Sequence, residues 1–421
     1  MSDCLVRTPV SDRSNPADLL LEMVDYDTAQ ALLSAALREL PSVEAEHIPL
    51  ALSCGRILAE DVRAVACRPE TDISAMDGYA FRCADMDLSG QKGLPLSGCV
   101  AAGDSPEPLR DGTACVILTG ARIPAGADCV VARERVVVAH DRVHLTNQTP
   151  VTGLNIRRKG EEFLSGTPLL PRGQALDWRH MALLASQGMT HVAVSRPIRV
   201  AVLANGAEFD CHAADARTEL NTLMLSAMLQ SESIRVRSRV AATDSPDELG
   251  EALRECIEHS DVVVTTGGIS VGQTDHVLPV LTRMGATCLF RRVRMRPGKP
   301  VTVMRLGRKI IFCLPGNPGA AALCAQLFVM PFLRAFTGLP PHRENRLAGR
   351  SAFAFTPTTD ATSFLPVAHT EEEGEIRFSL IPSVGASDVR CLTRATALLR
   401  VDAGESVDIG SYCRAVPFTD L

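Results

Sequence analysis

The sequence predicts a multidomain α/β and β protein. It has a parallel-sheet α/β domain, an inserted small β domain, a helical and extended linking domain, and a C-terminal β-barrel-like domain. Three observations carry this. Strand-like and helix-like segments alternate from Ile198 to Thr266, the pattern of a parallel sheet. Between Pro69 and about Thr149 the composition shifts to short strand-like pieces broken by GDSP, DGT and PAGAD turns. Finally, 421 residues exceed what one hydrophobic core supports at ~100 to 200 residues per domain.

Taken in order, residues 1–24 are polar and proline-containing and are expected to be a tail. Tyr26, Ala29, Leu32, Leu33, Ala36 and Leu37 then recur at helical spacing, with Asp27 or Thr28 as the expected cap. Residues 25–65 and 153–196 together form the linking domain, the second part holding a helical stretch around Arg179 to Gln187. Residues 66–152 are the inserted β domain, with strands at Ala114 to Leu118 and Cys129 to Val131. In the α/β domain, 197–340, strands are expected at Ile198 to Leu203, Ile234 to Val240 and Val262 to Thr266, and helices at Leu220 to Leu229 and Glu248 to Ile257. Strand-like Val301 to Met304 and Ile310 to Cys313 precede an apolar helix from about Ala320 to Phe336. Residues 341–421 are all-β in pattern, ending in Ala397 to Val401 and a GESVDIG turn.

Composition narrows the function. Apolar residues make up 46% and charged residues 22%, which is globular; aromatics at 4% leave the core to Val, Leu and Ala. A net charge of −6 provides no general basic field, so nucleic acid is not expected and any anionic ligand must be gathered by a local cluster. Fourteen cysteines occur with no CxxC pair, the usage of buried thiols in a reducing compartment. The first residues carry no basic segment followed by an apolar core, and no window reaches bilayer-spanning length, so a cytoplasmic location without a membrane partner is expected.

Chemistry gathers at the strand ends of the α/β block. Val262 to Thr266 closes into Gly267, Gly268, Ser270 and Gly272 and ends on Asp275, a glycine turn either merely connecting strand to helix or cradling an anion through backbone N–H groups. GGISVGQT has P-loop spacing, but Gln273 stands where the lysine belongs, which argues against a Walker NTPase. Glu208, Asp244 and Asp275 each follow a strand and are placed on one sheet edge; carboxylate oxygens suit Mg²⁺ bridged to substrate phosphates, while each alone also suits an exposed turn. RRVRMRPGK, Arg291 to Lys299, puts five cations in nine residues, and Pro297 and Gly298 turn Arg296 and Lys299 toward that edge. LPGNP, with Pro315, Gly316 and Asn317, again leads from a strand into a helix N-terminus. In the inserted region, DISAMDGYA and LTGA have no catalytic composition of their own.

Together these segments resemble the MoeA-type molybdopterin molybdenumtransferases, the family that also includes the C-terminal domain of gephyrin. The resemblance rests on SAMDGYA at 74–80, TGA at 119–121, NIRRKGE at 155–161, GGISVG with Asp275, RPGKP at 296–300 and LPGNP at 314–318, and it covers residues from about 25 to 421. It implies insertion of molybdate into adenylylated molybdopterin with release of AMP, assisted by Mg²⁺. It also implies a homodimer whose site is shared between subunits, fed by a molybdopterin adenylyltransferase. Carried over by position, it points to Asp77, Thr119, Glu162, Glu208, Asp244, Asp275, Arg292, Arg296, Lys299 and Ser387. Asp275, Asp244, Glu208 and Glu162 are then the metal ligands, the cations neutralise oxyanions, and Asp77 and Thr119 orient ligand from the partner subunit.

The chain departs from the family pattern at several of these places. Ile73 replaces an Asn, Ala207 interrupts a GDE turn, Arg292 and Arg296 replace lysines, Glu162 replaces an Asp, and Gly319 and Ala320 follow PGNP where a small residue and Ser are usual. A basic residue near Thr362 is missing. A non-catalytic pterin-binding carrier with the same fold, or the tungstate-inserting equivalent, is the alternative.

Overall fold

The computed structural model describes residues 23–89, 92–146, 149–206, 219–269, 276–339, 347–372 and 374–418. The chain forms two compact units, one of Asp61–Pro171 with Ala182–Met189, the other of Met1–Glu60, Arg172–Met181 and Thr190–Leu421.

The unit Asp61–Pro171 is built on a six-stranded sheet in the order Cys129–Ala132, Gly78–Phe81, Ala114–Ile117, Leu94–Val100, Arg142–Leu145, Val136–Ala139. Alternation along the strands buries both faces: Tyr79, Phe81 and Val131 on one, Ala80, Ile117 and Val130 on the other. Gly78 is obligatory in the DGYA motif, because a Cβ there would lie 2.1 Å from Val131 O.

In the other unit, Ile234–Ala241, Ile198–Asn205, Val262–Thr266 and Lys309–Leu314 are parallel neighbours, in that order. Val262–Thr266 is buried along its whole length, as its β-branched run predicts. The sheet is nevertheless mixed. Thr302–Leu306 returns antiparallel to Lys309–Leu314 through a turn at Gly307, and Thr287–Arg291 adds a second antiparallel edge strand. Helices cover both faces, giving one core around Val264, Phe312 and Phe328 and another around Leu203, Leu253 and Ile311. Each such large side chain contributes about 1.5–3 kcal/mol by leaving water.

Tyr26–Arg38 starts two or three positions earlier than the expected cap at Asp27 or Thr28 implies. Asp25 is the cap, its carboxylate accepting from Thr28 N at 2.7 Å and Thr28 Oγ1 at 2.9 Å; Asp27 instead lies in the first turn, where Arg400 reaches it at 2.7 Å. The apolar helix runs from Pro318 to Phe336 with a π-turn at Ala325–Val329. Contrary to the expectation that no segment reaches bilayer-spanning length, it is long and apolar enough to do so, yet 78% of its apolar window is buried inside the protein, as in a core helix.

The C-terminal strands close on themselves. Thr362–Glu372, Glu375–Leu380, Leu347–Ser351, Tyr412–Pro417 and Ala397–Val401 pair in turn, and the first also pairs with the last, forming a five-stranded barrel over Val367, Phe378 and Leu399. Met295–Arg296 adds to it as a short parallel strand beside Thr362 and Ser363, so the basic segment of the α/β domain is anchored in the barrel sheet.

Candidate functional site

The register places the C-terminal ends of the four parallel strands level: Ala204 pairs with Val240 and Thr266, and Thr266 pairs with Leu314. All four following segments therefore leave from one edge, the ligand-binding edge of open α/β sheets. Gly267 has φ +87°, and a Cβ would meet Asn205 O at 2.6 Å; Gly268 has φ +64° and sits between Val277 and the Asn205 amide. Asn221 ties this turn to the PGN turn by donating to Thr266 Oγ1 at 2.8 Å and Gly316 O at 2.9 Å, while Thr266 Oγ1 donates to Pro315 O at 3.1 Å. Asn221 carried no motif signal; its role exists only through the fold.

The cations of RPGKP and the LPGNP turn open onto a cleft of about 820 Å³. Arg296, Lys299, Pro315 and Asn317 line it together with Arg294. The opposite wall comes from the barrel domain, by way of Thr356, Thr358, Asp360, Ser363 and the Ser383–Asp388 turn. Arg294 reaches Asp360 at 3.8 Å, whereas Arg296 and Lys299 are exposed. Ser387 Oγ donates to Asn317 Oδ1 at 3.0 Å and Ala320 N donates to Ala386 O at 3.0 Å, so the PGNP turn and the barrel wall are tied directly. Gly319 allows this approach, since a Cβ would stand 2.7 Å from Ala386 O. At Thr362, near which the resemblance led to the expectation of a basic residue, the side chain is buried and donates to Asp402 at 3.1 Å, and its N–H donates to Arg294 O. Apart from Ser387, which the resemblance pointed to, the hydroxyl-rich barrel wall is the main part of the site that sequence reading missed; TPTTDAT and PSVGASD were its only signal.

The remaining candidates fall out as follows. Arg292 is exposed with φ +62°, its N–H donating to Val301 O and its C=O accepting from Val24 N. Asp244 is exposed three residues past Ile234–Ala241. Glu208, Ser270, Gly272 and Asp275 lie outside the described residues. Asp77, Thr119 and Glu162 belong to the other compact unit. There Asp77 Oδ1 accepts from Thr119 N and Oγ1, both at 2.7 Å, and these bonds hold its carboxyl below the ordinary range. Glu162 spends one oxygen on Arg157 at 2.6 Å and the other on Arg68 at 2.7 Å, so a cation would have to displace a guanidinium.

Fold and site define a class: multidomain proteins with a cation-lined cleft between an α/β sheet edge and a barrel. Residues 24–188 match the MoeA N-terminal region (domain I and II), and residues 201–335 a probable molybdopterin binding domain. A molybdopterin molybdenumtransferase of Nostoc sp. is 33% identical over 324 residues, 74% of each chain, and one of Staphylococcus aureus is 34% identical over 306 residues, 70% of this chain and 73% of the relative. The crystal structure of the molybdopterin biosynthesis MoeA protein from Pyrococcus horikoshii superposes with a TM-score of 0.81 at 26% identity, covering 95% of this chain and all of that one. The chain belongs to the molybdopterin molybdenumtransferase family.

Proposed function

We propose that this protein inserts molybdate into adenylylated molybdopterin with release of AMP, as the closing step of molybdenum cofactor biosynthesis. The observation that carries the reading is the cleft in which Arg294, Arg296 and Lys299 face the PGNP turn and a hydroxyl-bearing barrel wall. Molybdate, the dithiolene and the phosphates are all anionic, and fixed cations with hydroxyl and backbone donors stabilise them without reorganisation. Arg296 and Lys299 gather the oxyanions, and Asn317 with Ser387 orients the group lying on the turn. The glycine turn from Gly267 holds the pterin phosphate close to backbone. Asp244 fits a Mg²⁺ ligand, being an exposed carboxylate at the phosphate edge, and Glu208 and Asp275 are assigned with it; the ion supplies polarisation of the pyrophosphate. Glu162, locked between two arginines, does not fit that role.

The reading includes a homodimer in which the Asp77 and Thr119 pair serves the partner subunit's cleft. An upstream molybdopterin adenylyltransferase supplies the substrate, and all described cysteines are free thiols, in keeping with a cytoplasmic setting. The test supplies adenylylated molybdopterin, Mg²⁺ and molybdate and follows AMP. Molybdate-dependent release above an Asp275→Ala background is expected; pterin binding without AMP release would mean a carrier, and a preference for tungstate would change the metal.

A further inference from the structure

We infer that Cys83, Asp128 and Cys129 form a site for a thiophilic divalent cation, with Zn²⁺ the natural occupant, built from residues the proposed reaction does not use. Two thiols and a carboxylate lie with their donor atoms within 4.8 Å of one another. In a tetrahedral site with Zn–S of about 2.3 Å the two sulfurs sit roughly 3.8 Å apart, so small inward rotations complete the geometry. The backbone already holds the group. Cys129 pairs with Phe81 across two strands, and Asp128 N donates to Phe81 O at 3.1 Å. Cys83 N donates to Asp128 Oδ1 at 2.8 Å, which leaves the second carboxylate oxygen near Thr152 Oγ1, at 3.4 Å. Cys129 is buried, whereas Cys83 and Asp128 are half-buried, so the group is partly reached by solvent.

The electrostatics argue against a reactive thiol and set protons in competition with an ion. Burial raises both thiols, and the neighbouring Asp128 carboxylate pushes them in the same direction. Protonated thiols are poor nucleophiles at neutral pH. A bound cation inverts this, because it stabilises both thiolates and uses the carboxylate as a third ligand. Sulfur donors select Zn²⁺ over Mg²⁺, so this site does not compete for the ion of the proposed reaction. Occupancy would pin the start of Cys83–Ser89 to the edge strand Cys129–Ala132.

Reduced, chelator-stripped full-length protein is titrated anaerobically with Zn²⁺, and with Cd²⁺ to read the ultraviolet thiolate-to-cadmium charge-transfer band. One equivalent is expected to bind, releasing about two protons per ion near neutral pH. Binding raises the unfolding midpoint. Cys83→Ser with Cys129→Ser should abolish that equivalent and its band, leaving only background from other thiols. Asp128→Asn keeps the acceptor for Cys83 N but should weaken binding by about 10-fold or more. If Cys129→Ser fails to fold, half-buried Cys83→Ser carries the test alone. Equal uptake and equal band intensity in parent and Cys variants would overturn the inference, as would uptake only at metal concentrations far above that of the protein.

Discussion

Gly319→Ala tests whether the barrel wall shapes the cleft. The new Cβ would stand 2.7 Å from Ala386 O and 3.4 Å from Asp388 O, where non-bonded atoms settle at about 3.5 Å. The Ser383–Asp388 turn must retreat by most of an ångström, and the Ala320 N to Ala386 O bond lengthens with it. Overpacking of this kind costs about 1–3 kcal/mol. Replacing glycine in a helical first turn returns about 0.4–1 kcal/mol through the unfolded chain, leaving a net loss of about 1–2 kcal/mol. Thermal unfolding should show a midpoint lower by about 1–3 °C. Because Ser387 moves away from Asn317, AMP release should show a higher KM for molybdate. Gly316→Ala is the internal comparison: its Cβ would lie 3.5 Å from Gly267 Cα, an ordinary contact, so stability should change by less than about 0.5 kcal/mol. A Gly319→Ala protein with parental midpoint and KM refutes the reasoning, and so does a Gly316→Ala protein destabilised as much as Gly319→Ala.

Arg296→Ala and Lys299→Ala remove exposed cations, so unfolding should move by less than about 0.5 kcal/mol while kcat/KM falls roughly 10- to 100-fold, each lost charged hydrogen bond being worth about 1.5–3 kcal/mol. A matching loss of stability would make them structural. Asp77→Asn should fold normally and be nearly inactive, and mixing it with Lys299→Ala should recover roughly a quarter of parental AMP release after statistical subunit exchange, since each mixed dimer then holds one intact shared site. No recovery would place Asp77 and Lys299 in the same subunit's site. Asp261, buried at the opposite end of its strand, accepts from Arg196 at 2.8 Å and Arg199 at 3.0 Å. Burial raises its carboxyl, but the arginine bonds outweigh that and leave it well below the ordinary value. A depressed folded pKa gives stability that is present above the unfolded value and lost as pH falls through the folded one. Asp261→Asn should therefore lower stability at neutral pH and flatten its acid dependence; an unchanged acid limb would exclude this pair as its source.

Much of this was legible in the chain, for local reasons. The central parallel strand Val262–Thr266 announces itself because burial on both faces demands an unbroken apolar run, whereas the edge strand Ile234–Ala241 carries Arg235, Arg237 and Arg239 and shows by alternation; the helices show because their apolar residues return every third or fourth place. The cap at Asp25 was displaced because Asp25, Asp27 and Thr28 all have capping side chains, and backbone geometry alone decides among them. The antiparallel half of the sheet had a signal in the Leu306–Gly307–Arg308 turn, too short for a crossover. Barrel closure was expected but had no local signal, since Thr362–Glu372 meets Ala397–Val401 through pairings set by distant contacts.

The same division explains the site. RPGKP and LPGNP show in sequence as cation and turn chemistry, but neither is a cleft alone. Arg296 is aimed by a strand pairing with Ser363, Arg294 is steered by Asp360, and Asn317 is held by Ser387, all partners from the barrel domain. The basic residue expected near Thr362 is absent, yet on the proposed function the barrel domain still helps to shape the cleft. Thr362 N donates to Arg294 O, so the barrel strand positions a cation supplied by the α/β domain in place of carrying one itself. On this reasoning the barrel acts by positioning, and its substitutions should move the KM for oxyanion before they move stability.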